Sequence, residues 1–137
     1  MLKPFHSVCL SLYIKYHKMT QEENILKENW QTLQSFLKNN LGKKPTDLNG
    51  VLFLIGVQEL GQGKKVFTKE QKQDLMHIAI CKVLSFGGYY ELEGRDEEGW
   101  PHWKLIAPLP HFDILSQEKL LKHFVLDYFR IEVGLHV

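Results

Sequence analysis

Asp74, His77 and Cys81 sit within KEQKQDLMHIAICKVLS at spacing i, i+3 and i+7. On a helix they share one stripe. A carboxylate, an imidazole and a thiol side by side are metal ligands, and the carboxylate can orient the imidazole. Glu59 upstream, and His123 with Asp127 downstream, would complete a centre for a divalent transition metal from neighbouring helices. Helical bundles build such centres from paired Glu-x-x-His motifs. Only one pair of this kind, Asp74-x-x-His77, is present. The plainer reading is a polar stripe in which His77 bonds Asp74. A Cys81–His77 nucleophile pair is weaker still, because Cys81 lies among Ala79, Ile80 and Val83. A reactive thiol needs an exposed, electropositive place.

A second concentration of chemistry is GRDEEGWPHWK, Gly94 to Lys104. Tryptophan and arginine are favoured interface anchors. Arg95 can be held by Asp96 or Glu93, or can reach a partner's carboxylate. His102 can act as a base oriented by Glu91 or Glu93 across a hairpin. In the plainer reading Trp103 covers the helical core, Trp100 packs on Pro101, and the acids are solvated. A simple turn needs no such cluster. The leading expectation is therefore recognition of a protein partner or small ligand through Arg95, Asp96, Trp100, His102 and Trp103. No catalytic constellation is complete, so a non-catalytic binding module without a cofactor is expected. The alternative is a metal-binding protein or metal-dependent enzyme built on Asp74 and His77.

These groups need positioning elements. Thr20 reads as a helix cap, and Leu26, Trp30, Leu33, Leu37 and Leu41 recur at helical spacing before Gly42 and Pro45. Asp47 caps a second helix, Leu48 to Leu60, ended by Gly61. It is apolar on all sides and so belongs at the centre. Gly50 and Gly56 each cost ~1 kcal/mol there relative to alanine, which points to a close neighbour. Thr68 and Gln71 form a capping box for a third helix reaching Ser85. YYELE and WPHWKLI alternate as a hairpin, with Pro101 at an edge or bend. Ser116 caps a last helix that carries Leu121, Phe124, Val125 and Tyr128 inward and ends at Gly134. The fold class is α+β, mostly helical, with about four helices and one β-hairpin between the third and fourth.

Helix, helix, helix, hairpin is also the winged-helix order. A DNA-contacting wing is basic, however, and this tip has three acids to one arginine. The connection from Gly61 to Phe67 exceeds the ~3–4 residues of a helix-turn-helix. GQGKK, Gly61 to Lys65, lacks the hydroxyl residue of a phosphate loop and follows a helix instead of preceding one. Nucleic acid is not an expected partner. LFLIGVQELGQG together with YYELEGRDEEGWPHW resembles a group of small bacterial proteins without an assigned activity. The resemblance covers roughly Met19 to Phe129. It implies a bacterial cytosolic setting and brings no functional residues.

The 137 residues suit one domain, with 44% hydrophobic and 24% charged side chains. Residues 1–18 hold Lys3, Lys15 and Lys18 and no acid, while the remainder holds 14 basic against 16 acidic side chains. The remainder is thus a poor match for a phosphate backbone, and only Arg95 and Arg130 are arginine. Residues 1–18 read as a disordered extension or a start-site artefact ahead of a globular domain over 19–137. No apolar run reaches the ~18 residues of a membrane helix, so no membrane association is expected. Cys9 and Cys81 have no metal-type spacing and suggest a reducing compartment, the cytoplasm. A further reading has the apolar second helix complete its burial in a homodimer.

Overall fold

The computed structural model describes residues 4–42, 47–63, 65–111 and 113–137, with side chains except at 4–8, 16 and 19. Pro45 and Lys64 lie outside the described residues. The order is α1 (Pro4–Leu41), α2 (Leu48–Leu60), α3 (Lys69–Ser85), β1 (Tyr90–Arg95), β2 (Pro101–Leu105) and α4 (Ile114–Tyr128). The fold is α+β, with four α-helices among the described residues and the hairpin between α3 and α4.

Helix α1 differs from expectation at its start. Thr20 lies inside it and is not its cap, and residues 4–18 belong to the same helix. The reason is local. The segment from Pro4 to Leu41 holds no glycine, and its one proline stands at the start of the described helix, where a missing amide costs little. Helices α2 and α3 start as their caps dictate. The Asp47 side chain accepts from Gly50 N, and Thr68 and Gln71 make both bonds of the capping box. Helix α4 is capped by Asp113 rather than Ser116. The Asp113 carboxylate accepts the Ser116 amide at 2.8 Å, so Ser116 is the donor three positions inside. A π-helical turn, Phe129–Val133, extends α4 to the left-handed Gly134.

The main core joins Leu26, Trp30, Leu33 and Leu37 of α1 to Val51, Leu52 and Ile55 of α2. Ala79 and Val83 of α3 and Val125, Leu126 and Tyr128 of α4 complete it. Leu41 stays exposed. A second cluster, Leu60, Phe67 and Leu75, lies beneath Trp100. The all-apolar α2 finds most of its cover within the chain, with Val51, Leu52, Ile55, Gly56 and Leu60 buried. Among the described residues no helix is long and apolar enough to cross a membrane.

Gly56 sets how closely α2 and α3 approach. A β-carbon there would lie 2.2 Å from the Leu75 carbonyl oxygen, which is backbone and cannot swing aside. Gly50 serves differently, in the first turn, where its amide donates to Asp47. The hairpin then rests on α3. It is a two-stranded antiparallel pair with Tyr90 opposite Leu105 and Leu92 opposite Trp103. A bulge between Leu92 and Gly94 shifts the register, so that Gly94 faces His102 and Arg95 faces Pro101.

Replacing Gly56 with alanine is expected to lower unfolding stability by about 3 kcal/mol, at the upper end of overpacking costs. Urea denaturation of G56A, read against the parent chain, checks this; an unchanged midpoint would show that α2 and α3 can separate freely.

Candidate binding site between the third helix and the hairpin

Asp96 organises the hairpin tip. Its Oδ1 accepts the amides of Glu98 (3.0 Å) and Trp100 (2.9 Å), and its Oδ2 lies 2.9 Å from Nε2 of His102. The backbone closes the same loop, with Asp96 N donating to Trp100 O and Gly99 N to Asp96 O. Gly99 takes the left-handed conformation, φ +88°, that completes the turn. The bonds from His102 and from the Trp100 amide hold the Asp96 carboxyl below the usual carboxylate range. His102 is therefore oriented by Asp96, and not by Glu91 or Glu93. Glu91 stands opposite Lys104, and Glu93 falls at the bulge.

Arg95, although exposed, reaches back to the protein's own backbone. Its guanidinium donates to Gly99 O (2.9 Å) and to Glu59 O (2.8 Å). Glu59 is in the last turn of α2, where carbonyls have no partner within the helix and the helix dipole favours a cation. Gln62, just past that helix end, donates from Nε2 to Glu98 O at 2.7 Å. Two side-chain links thus tie the tip to the end of α2. The lysine-bearing GQGKK loop supplies one of them, and Lys65 Nζ steadies Gln62 Oε1 at 3.2 Å.

The consequence of this docking is a cleft of ≈ 480 Å³ between α3 and the hairpin. Gln71, Asp74, His77 and Ile78 line it from α3, and Asp96, Glu98, Trp100, Pro101, His102 and Trp103 from the hairpin. Of the residues singled out in the sequence, Asp74 and His77 meet Asp96, Trp100, His102 and Trp103 here, while Arg95, Glu59, Cys81, His123 and Asp127 do not line the cleft. Trp100 is half-buried against Leu60, Phe67 and Leu75, and so does more than pack on Pro101. Trp103 is half-buried, and its indole Nε1 is the one buried side-chain nitrogen or oxygen among the described residues that has no hydrogen-bond partner. Gln71, marked in the sequence only as a capping residue, and Glu98 also line the cleft. Only the hairpin register and the capping of α3 bring them to the rim.

The metal set does not assemble. Among the described residues no three of His, Cys, Asp and Glu lie so as to hold one ion. His77 turns its Nε2 toward Cys81 Sγ at 3.6 Å. Glu59 is drawn away by Lys82 (3.5 Å) and by the Tyr128 hydroxyl, which donates to its Oε2 at 3.2 Å. His123 is exposed on α4, and Asp127 pairs with Arg130 at 2.7 Å. The Cys81–His77 pair exists in geometry, but Cys81 is fully buried and burial pushes its thiol up to about 11. A thiol in that state is a poor nucleophile.

Arg95→Ala is expected to destabilise the chain by about 1–2 kcal/mol, the range for charged hydrogen bonds at a partly solvated site. Arg95→Lys should not restore the loss, because an ammonium lacks the planar fork that reaches two carbonyls. Thermal melts of the two variants check this, and parent-like melting of Arg95→Lys would remove the fork argument. Thiol labelling at neutral pH should modify the exposed Cys9 at once and Cys81 only on unfolding. Mass spectrometry of the labelled peptides reads both, and prompt labelling of Cys81 would contradict its burial. No protein-family model, curated protein or solved structure matches this chain, so its own cleft carries the functional reading.

Proposed function

We propose that this chain is a non-catalytic recognition module that binds a protein partner or small ligand in the cleft between α3 and the hairpin. The observation that carries the reading is convergence. Asp74 and His77 of α3 share one cavity with Asp96, Trp100, His102 and Trp103 of the hairpin. Pockets for organic ligands are lined by aromatic surface with a few placed polar groups, and this lining has that composition. The reactive-looking groups are otherwise engaged. His102 is bonded to Asp96, and Cys81 is buried beside His77. Arg95 acts through position, holding the tip against α2, and not through contact. The two free thiols support a reducing, cytosolic setting.

The three tryptophans make a direct test. Trp100 and Trp103 line the cleft, whereas Trp30 lies between α1 and α4. Their indole N–H signals in ¹⁵N spectra report separately. Titration with a mixed pool of small organic fragments and short peptides is expected to shift the Trp100 and Trp103 signals and leave Trp30 unmoved. Asp74→Trp, at an exposed helix position, should fill the cleft and abolish the shifts with folding intact by circular dichroism. Binders that act only on Trp30, or shifts that survive Asp74→Trp, would overturn the reading.

A further inference from the structure

We infer that the cleft takes an organic cation, an alkylammonium or guanidinium group together with its hydrocarbon chain. The inference rests on the recognition reading and names its ligand. Three carboxylates, those of Asp74, Asp96 and Glu98, line one cavity with the indoles of Trp100 and Trp103. Among the described residues no lysine or arginine joins that lining, whose basic members are His77 and His102, the latter paired with Asp96 at 2.9 Å. Carboxylates on a concave wall focus a negative field, and indole faces attract cations through their quadrupole. The acids divide the work. Asp96 has its oxygens engaged by the Glu98 and Trp100 amides and by His102, so it contributes charge. Asp74 comes from the helix wall and Glu98 from the hairpin wall, and both are exposed.

The molecule contains its own example of this chemistry. In the groove between α1 and α4, Trp30 and the carboxylates of Glu23 and Glu118 also come together. There the chain supplies the cations itself. Lys122 stands 5.2 Å over the Trp30 ring and 3.4 Å from Glu118, and Lys119 lies 2.6 Å from Glu23. The α3–hairpin cleft likewise joins carboxylates to indoles, with His77 and His102 as its basic members and no ammonium group in its lining. Its volume, ≈ 480 Å³, exceeds what a bare ion fills and falls in the ~300–1,000 Å³ range of organic ligand sites. A basic peptide side chain with its neighbours, or a linear polyamine, has the required charge and size.

The test uses the full chain and the same indole signals. The cationic arms are a Gly-Gly-Lys-Gly-Gly peptide, its arginine counterpart and spermidine. The controls are the peptide with acetylated lysine and one with glutamate in its place. Cationic probes should shift Trp100 and Trp103 and not Trp30, and their binding should weaken as salt rises. Asp74→Asn with Glu98→Gln should weaken it about tenfold, the loss of one charge-assisted contact's worth of affinity. Response to the peptides without spermidine assigns a basic protein segment; the reverse assigns a free amine. Equal or stronger binding of the acetylated or glutamate peptide at the two indoles would overturn the charge assignment and leave the recognition reading standing. Silence of both indoles toward these probes and toward the fragment pool would overturn both.

Discussion

Gly56 and the Leu75 carbonyl share a space too small for any β-carbon, and the candidate site descends from that contact. It lets α2 lie directly on α3, which brings the end of α2 beside the hairpin packed on the same helix. The Glu59 carbonyl then meets the Arg95 guanidinium, and Gln62 meets the backbone of Glu98. Without the close approach the hairpin would have α3 alone to rest on. A two-stranded hairpin is marginal by itself in water, so these anchors decide whether its tip has one position or many.

The tip answers two demands with the same residues. Asp96 closes the turn through the amides of Glu98 and Trp100, and the same carboxylate orients His102. Arg95 beside it reaches away, to the helix end. Within this exposed run of charges, Arg95 and Asp96 hold the tip together through their side chains, while Glu97 and Glu98 also face solvent. Glu59 has a comparable double use. Its carbonyl holds the hairpin while its carboxylate meets Lys82 and Tyr128, binding α2 to α3 and α4.

Much of this was legible in the sequence wherever a signal was local. Asp47, Thr68 with Gln71, and Gly61 marked helix ends because caps act within a turn of the chain, and the i, i+3, i+4 leucines marked buried faces. Ser116 misled because Asp113, three residues earlier, has the stronger claim to the same amide. Thr20 misled because a good cap residue is only a cap if the preceding chain is not already helical. The cleft was half legible. Residue types at Asp74–His77 and at Asp96–Trp103 stood out, but their meeting depends on a bulge at Leu92–Gly94 and on side-chain bonds between residues 36 positions apart. Neither leaves a periodic trace. The same holds in reverse for Glu59 and His123, whose tertiary partners and placement leave no trace in the sequence.

The pairing of α1 with α4 has a consequence for how the chain is made. Leu26, Trp30, Leu33 and Leu37 share their core with Val125, Leu126, Tyr128 and Phe129, and Glu23 meets Lys119 across 96 positions. At ~5–20 residues per second of synthesis, that apolar stripe waits for several seconds before its cover exists. Helices α2, α3 and the hairpin have near neighbours in sequence and can assemble as they emerge. The order of biosynthesis therefore leaves the first helix as the last to be sealed.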